Sequence, residues 1–355
     1  MTAARPPVQS TYRRLPLLFF GMLSLLGGLA AGLARLGWPM PDIAAHAAGL
    51  HGPLMIGAFF GTVISLERAV AIGARWAYVA PLAAGCSGLL LLAGAPILLG
   101  QGLASLAALG LIAASLVALS RQTALHTIIL TLGAGCWLAG NVAWFVGGDT
   151  GPGTGWWLLF LVLTIAGERL ELTRMLPTPT HARTIFVTIV TTLIAAAALA
   201  AERWLAGGLL ALAVWLLRYD IARRNLGSEG LTRYIAVCLF SGYLWLALAG
   251  LLGLDGALGS GHPARDPTLH ALALGFVFAM VFGHAPIIFP AVTRIRIPWH
   301  PVLYLPLALL HLTLLVRVAG GTLGHWPLRA GGGLLNALAL LTFIATLITL
   351  IRKGR

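Results

Sequence analysis

The sequence predicts an all-helical integral membrane protein of about twelve spans, with both termini on the cytoplasmic side. Of its 355 residues, 59% are hydrophobic and only 9% are charged. Apolar runs repeatedly reach the roughly 20 residues that a helix needs to cross a bilayer, and strands of about ten residues do not fit them. Because backbone polar groups in hydrocarbon must be satisfied internally, we expect a helical bundle whose main partner is the lipid bilayer.

Apolar runs between polar or Gly/Pro-rich breaks define the spans. The first run is too long for the core of a cleavable signal peptide, so we interpret it as the first span. We treat 1–355 as one membrane domain; two halves, 1–177 and 178–355, are the alternative. The predicted spans are 15–36, 43–66, 77–99, 102–120, 124–146, 155–175, 183–201, 204–219, 232–254, 268–291, 300–319 and 329–351.

The basic residues predict the orientation. If the N-terminus is cytoplasmic, 18 of the 23 basic residues fall on the inner side, as the positive-inside rule requires. An odd error in the number of spans would move Arg294 and Arg296 to the outside. The formal net charge of +13 therefore indicates membrane topology and not a nucleic-acid partner, and it favours a multi-pass protein of a bacterial-type cytoplasmic (inner) membrane.

Histidines inside spans are the main functional candidates, because ionisable groups in a membrane are rare and usually functional. His46 and His51 fall in the outer half of span 2, and His270 and His284 fall in span 10. At 1.5 Å per residue, His46, His51 and His270 lie toward the outer ends of their spans, so the geometry allows a cluster formed by spans 2 and 10. The alternative for each ring is a simple hydrogen bond to a backbone carbonyl or hydroxyl group.

The neighbours of these histidines favour metal or haem chemistry. Imidazole binds haem iron and copper, and the small residues around His46 and His51 leave room for a flat macrocycle. Met55, one helical turn after His51, is a candidate thioether ligand or a packing residue. Arg265, before span 10, is a candidate partner for haem propionates; contact with lipid headgroups is the alternative.

Other reactive side chains have plainer interpretations. Cys86, Cys136 and Cys238 lie in apolar runs without paired spacing, which indicates buried thiols. Glu168 and Glu171, one turn apart near the inner end of span 6, are candidates for proton uptake, but ion pairs with nearby arginines are the simpler interpretation.

Two segments resemble known families. Leu50-His51-Gly52-Pro53-Leu54-Met55 resembles the His-Gly-x-x-Met pattern of helix II in the catalytic subunits of haem-copper oxidases and nitric oxide reductases, where the histidine ligates the low-spin haem. Leu269-His270-Ala271-Leu272 and Gly283-His284 resemble late segments of the NnrS family of twelve-span haem and copper proteins. Spans 6 and 7 lack the histidines of an oxidase binuclear centre.

These resemblances imply a twelve-helix protein that holds a b-type haem and, in second place, copper. They make His46 or His51, and His270 or His284, the candidate haem ligands, with Arg265 beside the cofactor. The candidate metal ligands are His51, His270, His284 and Met55.

The sequence therefore predicts a haem-binding, and additionally copper-binding, membrane protein of respiratory, denitrification or nitric oxide stress metabolism. Other respiratory membrane proteins would be its partners. Two alternatives stay open: a secondary transporter or exporter, which twelve spans would also fit, and a membrane assembly factor for a respiratory enzyme. The sequence does not decide whether the protein is an enzyme.

Overall fold

The computed structural model describes residues 14–173 and 179–354, which are helical apart from short connections and contain no strand. We number the α-helices in chain order. They are α1 (Leu15–Arg35), α2 (Asp42–His46), α3 (Gly61–Ile72), α4 (Val79–Leu92), α5 (Ile97–Arg121), α6 (Leu125–Gly147), α7 (Gly151–Thr173), α8 (Thr180–Ala198), α9 (Glu202–Tyr219), α10 (Ala222–Asn225), α11 (Gly230–Gly253), α12 (Arg265–His270), α13 (Ala279–Thr293), α14 (Tyr304–Thr322) and α15 (Trp326–Lys353).

Ten helical segments among the described residues are long and apolar enough to cross a membrane. The protein is therefore a multi-pass helical membrane protein, as the composition predicts. The two remaining predicted spans, 155–175 and 204–219, correspond to α7 and α9. Each of these two helices contains three acidic or basic side chains near its ends.

The second predicted span, 43–66, has wrong boundaries. Its first half consists of the short helix α2 and a single 3-10 turn, Ala48–Leu50. A π-helical segment, Pro53–Phe60, then leads into α3, which continues to Ile72. The glycines and proline of this region interrupt a regular α-helix. The helical segment long enough to cross a membrane therefore starts at Pro53 and not at residue 43.

The tenth predicted span matches a continuous helical segment, Arg265–Thr293. Its middle, Ala271–Phe278, is π-helical and joins α12 to α13. A regular α-helix would place His270 and His284 about 21 Å apart on a shared face. That spacing does not apply here, because the i→i+5 hydrogen bonds of the π-helical middle change both the rise and the rotation of each residue.

The chain divides into two compact units. The first comprises 1–160 with 288–295, and the second comprises 161–287 with 296–355. Residue 178, where the alternative division into halves was placed, lies outside the described residues.

Aromatic side chains and glycines form the core of the first unit. Trp137 stacks on Phe160 with ring centroids 5.0 Å apart, and a side chain at Gly61 would overlap the Trp137 ring. The Trp157 indole donates a hydrogen bond of 3.0 Å to Asn141 Oδ1. These contacts join the segment after His51 to α6 and α7, so the candidate histidine is attached to a packed core.

The second unit uses glycines for close contacts between helices. A Cβ atom at Gly320 would overlap the backbone of Arg329, and one at Gly332 would lie 2.6 Å from the amide nitrogen of Arg317. Helices α14 and α15 therefore approach closely, which brings two arginines to the same region of this unit. In the same unit, Phe282 on α13 stacks on Phe343 on α15, with ring centroids 3.8 Å apart.

Candidate functional site

The four candidate histidines share one hydrogen-bond arrangement. In each ring Nδ1 lies 2.7 to 2.9 Å from a backbone carbonyl oxygen. Because a carbonyl oxygen only accepts hydrogen bonds, Nδ1 must carry the proton, and Nε2 is the nitrogen with the lone pair. Metal-ligating histidines are usually oriented in this way. The same bond also satisfies a purely structural histidine. The rings are those of His46, His51, His270 and His284.

His51 differs from the other three because its acceptor lies on another helix. Its Nδ1 donates to the carbonyl oxygen of Gly28 on α1, at 2.7 Å. A Cβ atom at Gly32, one turn later on α1, would lie 2.8 Å from both Nδ1 and Cε1 of the ring. The two glycines thus form a close-fitting support that fixes the position and tautomer of His51.

Met55 packs against the same face of α1. The Met55 side chain is buried, and a Cβ atom at Gly28 would lie 2.7 Å from its sulfur. His46 has a different setting: it is exposed at the end of the short helix α2, and its Nδ1 bonds within its own turn, to the Asp42 carbonyl oxygen. In the first unit, His51 is consequently the best-supported candidate ligand.

In the second unit His270 is supported by a carboxylate. Its Nδ1 lies 2.9 Å from the backbone oxygen of Asp266 and 3.2 Å from Oδ1 of the same residue. Asp266 in turn accepts two hydrogen bonds from Arg317, of 2.8 and 3.1 Å. Arg329 forms a second ion pair with Asp266, to Oδ2 at 3.2 Å. A carboxylate behind a histidine in this way fixes the ring and makes its other nitrogen a better ligand.

Arg265 has a contact on a different segment. Its Nε donates a long hydrogen bond of 3.4 Å to the carbonyl oxygen of Leu258. The arginines that pair with Asp266 are Arg317, which is only 7% exposed, and Arg329. Sequence reasoning placed both on the outer side but did not connect them with the histidine, because they are about 50 or more residues away along the chain.

A pattern in the sequence could have revealed part of this site. Asp42-x-x-x-His46 and Asp266-x-x-x-His270 have the same spacing, and in both the aspartate carbonyl accepts the histidine Nδ1 proton. Each pattern is followed by a π-helical segment, Pro53–Phe60 or Ala271–Phe278. Long π-helical segments are rare and often occur at functional sites.

His284 lies beside a different group of polar residues. Its Nδ1 donates to the carbonyl oxygen of Met280 at 2.7 Å, and the guanidinium group of Arg169 is close enough to interact with the ring electrostatically. Arg169 also interacts with Asp220 and Tyr243. The side chains of Arg169, Asp220 and Tyr243 are all buried, and the sequence argument did not single out any of them as functional.

Burial raises the pKa of Asp220 above its ordinary value; the positive charge of Arg169, the Ala222 amide and the Tyr243 hydroxyl group oppose this effect without cancelling it. Glu168 and Glu171, the earlier candidates for proton uptake, have interactions of their own. Arg174 is one of the nearby arginines with which Glu171 could form an ion pair. It lies outside the described residues.

Four other histidines accept hydrogen bonds through Nδ1. His311 accepts a hydrogen bond from the Trp245 indole at 2.9 Å through Nδ1, and its Nε2 contacts Ser241 Oγ at 2.9 Å. Three loop histidines accept backbone N–H groups through Nδ1, which is the reverse of the candidate ligands. They are His262, His300 and His325.

No group of three or more His, Cys, Asp or Glu side chains suited to a metal ion occurs within 14–173 and 179–354. Haem iron, by contrast, takes only one or two axial protein ligands. The predicted pairing of the histidines of spans 2 and 10 stays a prediction.

The fold and these sites define a multi-pass helical membrane protein with histidines held by backbone carbonyls. The chain belongs to the family described as Domain of unknown function (DUF8744), whose family model matches residues 14–352. No curated protein and no solved structure matches the chain.

Proposed function

We propose that this protein binds a b-type haem in a bacterial-type cytoplasmic membrane and acts in respiratory, denitrification or nitric oxide stress metabolism. His51 and His270 are the proposed iron ligands. The observation that carries the proposal is the Nδ1-protonated state of both rings, which presents Nε2 as the ligand nitrogen. The sequence resemblance supplies the metabolic context, and copper is a second metal that it implies.

The proposed topology has twelve spans with both termini in the cytoplasm. Helices α7 and α9 supply the two spans beyond the ten apolar segments. Charged residues near the ends of these helices are compatible with crossing, because long arginine side chains reach the interface. The positive-inside distribution of the arginines supports this number of spans and this orientation.

The polar residues around the two histidines fit a haem. Gly28 and Gly32 leave room for His51 without a competing side chain, and the Asp266 carboxylate stabilises the protonated Nδ1 of His270. Arg317 and Arg329 give the surroundings of His270 a net positive charge once Asp266 is paired. Such a charge would favour the anionic propionates, so we propose these two arginines as propionate partners in addition to Arg265.

A bound haem would supply one-electron transfer or binding of a diatomic gas such as nitric oxide. The protein's own contribution would be to orient the imidazoles, keep Nδ1 protonated and control access of water. Partner proteins of a respiratory chain would exchange electrons with it.

The test is the absorption spectrum of the protein, purified in detergent after expression with ample haem precursor. We expect a Soret band in the wild type that is lost or shifted in His51→Ala and His270→Ala. His262→Ala is the matched control, because His262 caps a loop through Nδ1. A wild type without a Soret band at full expression would overturn the proposal; metal analysis of the same sample tests copper.

A proton-coupled secondary transporter is the second candidate. The buried cluster of Arg169, Asp220 and Tyr243 favours it, because buried ionisable residues in membrane proteins often mark ion pathways. A featureless spectrum would make this alternative the better one.

A further inference from the structure

Two buried aspartates of the second unit have opposite surroundings. Asp266 has both carboxylate oxygens paired, with Arg317 on each and Arg329 on Oδ2. Asp220 is only 2% exposed, and its Oδ1 accepts a 2.7 Å hydrogen bond from the Ala222 amide. Its Oδ2, however, is buried and has no direct hydrogen-bond partner in the part of the chain that the structure describes.

Two other polar atoms near Asp220 are in the same situation. Arg169 Nε and Tyr243 OH are also buried and lack a well-formed hydrogen bond among the described residues, although the Tyr243 hydroxyl group lies close to both the Asp220 carboxyl group and the Arg169 guanidinium group. Arg169, Asp220 and Tyr243 nonetheless interact electrostatically. A carboxylate without full pairing is costly in such an environment, whereas its neutral, protonated form is tolerated.

We propose that Asp220 is an internal proton-binding site of this protein, at which Oδ2 takes up and releases a proton. The step is a simple acid–base equilibrium. A lone pair of Oδ2 forms an O–H bond with a proton from a hydronium ion, whose own O–H bond breaks to leave a water molecule. The carboxylate becomes a neutral carboxylic acid, and no bond of the protein breaks. The new O–H group can donate to the Tyr243 oxygen, while Arg169 stabilises the deprotonated form.

Asp220 lies at the end of a helix, which places its proton exchange at one face of the membrane. It directly follows α9 and precedes the short helix α10, at the end of the bundle that the arginine distribution assigns to the cytoplasm. The charged and titratable groups that interact with Asp220 come from two other helices. They are Arg169 on α7 and Tyr243 on α11; His284 on α13 lies beside Arg169. Arg218, Tyr219, Arg223 and Arg224 are close to Asp220 in sequence.

This site goes beyond haem binding and does not depend on it. A buried carboxyl group that exchanges protons with one face can compensate the charge of an electron that enters the protein, or couple the passage of another solute to a proton. When a proton enters together with an electron, the net charge that is buried in the protein is smaller. Both functional candidates can therefore use the same site.

The experiment is infrared difference spectroscopy of the full-length protein in lipid nanodiscs, titrated between about pH 4 and pH 9, above the ordinary Asp range near 3.9. We expect one carbonyl-stretch band of a protonated carboxyl group that disappears as the pH rises. Labelling with 13C-aspartate should shift this band, and Asp220→Asn should abolish it. Because the label marks aspartate alone, histidine titration and the carboxyl groups of haem propionates do not affect the assignment of this band.

Asp149→Asn is the matched control. Asp149 makes the same local turn as Asp220, because its Oδ1 accepts a 2.6 Å hydrogen bond from the Gly151 amide, but it is exposed. The control should retain the band. Tyr243→Phe keeps the carboxyl group and removes one polar neighbour, so it should shift the frequency or the midpoint of the band.

Each outcome bears on the proposal. A wild type without a titrating aspartic acid band, or a band that persists in Asp220→Asn, would overturn it. If Asp220→Asn does not fold, Tyr243→Phe decides: a changed band supports the proposal, and an unchanged band in the folded variant contradicts it.

Discussion

Gly32→Ala should displace His51 and weaken haem binding. The added Cβ atom would lie 2.8 Å from Nδ1 and Cε1 of His51, whereas ordinary contacts begin at 3.4 Å. The ring or the helix must therefore move by about 0.6 Å. Overpacking of this kind costs about 1–3 kcal/mol. The movement would also weaken the 2.7 Å hydrogen bond from Nδ1 to Gly28, and loss of such a support typically reduces metal affinity about 10- to 100-fold.

The assay is a haem titration followed at the Soret band, together with thermal unfolding of the same samples. Gly21→Ala is the control, since it lies on the same helix and gains the same helix propensity, but its Cβ atom would be at least 3.4 Å from any neighbour. We expect reduced haem affinity only for Gly32→Ala. Equal affinities of Gly32→Ala and the wild type would refute the role of this support.

Three further predictions concern the second unit. Arg317→Met should lower stability by about 3 kcal/mol, because Asp266 keeps only Arg329 as a cationic partner; chemical unfolding measures this, and exposed Arg218→Met should change little. Because burial raises the pKa of Asp220 in the folded protein, its stabilising contribution is present at low pH and is lost as the pH rises through that pKa. Melting temperatures across pH should show this loss in the wild type and not in Asp220→Asn. His311→Ala should lower the melting temperature, through loss of its bonds to Trp245 and Ser241, without changing the haem spectrum.

Hydrophobic run length predicted most of the helices, because it reports how much apolar surface a segment can place against lipid or core. The first span, 15–36, matches α1 (Leu15–Arg35), and 124–146 matches α6 (Leu125–Gly147). Run length predicted the wrong boundaries at residues 43–60, where the chain is apolar but contains a 3-10 turn and a π-helical segment. Hydrophobicity does not distinguish i→i+4 from i→i+5 hydrogen bonds.

The candidate site was predictable only where local sequence determines it. His51 and His270 were recognisable from their apolar surroundings, and the carbonyl acceptor of His270 lies four residues before it. The Gly28 acceptor of His51 and the Arg317 partner of Asp266 depend on helix packing. Asp220 carries no local signal at all, because its burial results from the arrangement of several helices.

The reduced-minus-oxidised absorption spectrum of the purified protein tests the central claim most directly. Haem held by His51 and His270 predicts sharp reduced bands in the wild type that are lost or shifted when either histidine is replaced by alanine. A wild type that is fully expressed and folded, yet featureless in this spectrum, would contradict the claim.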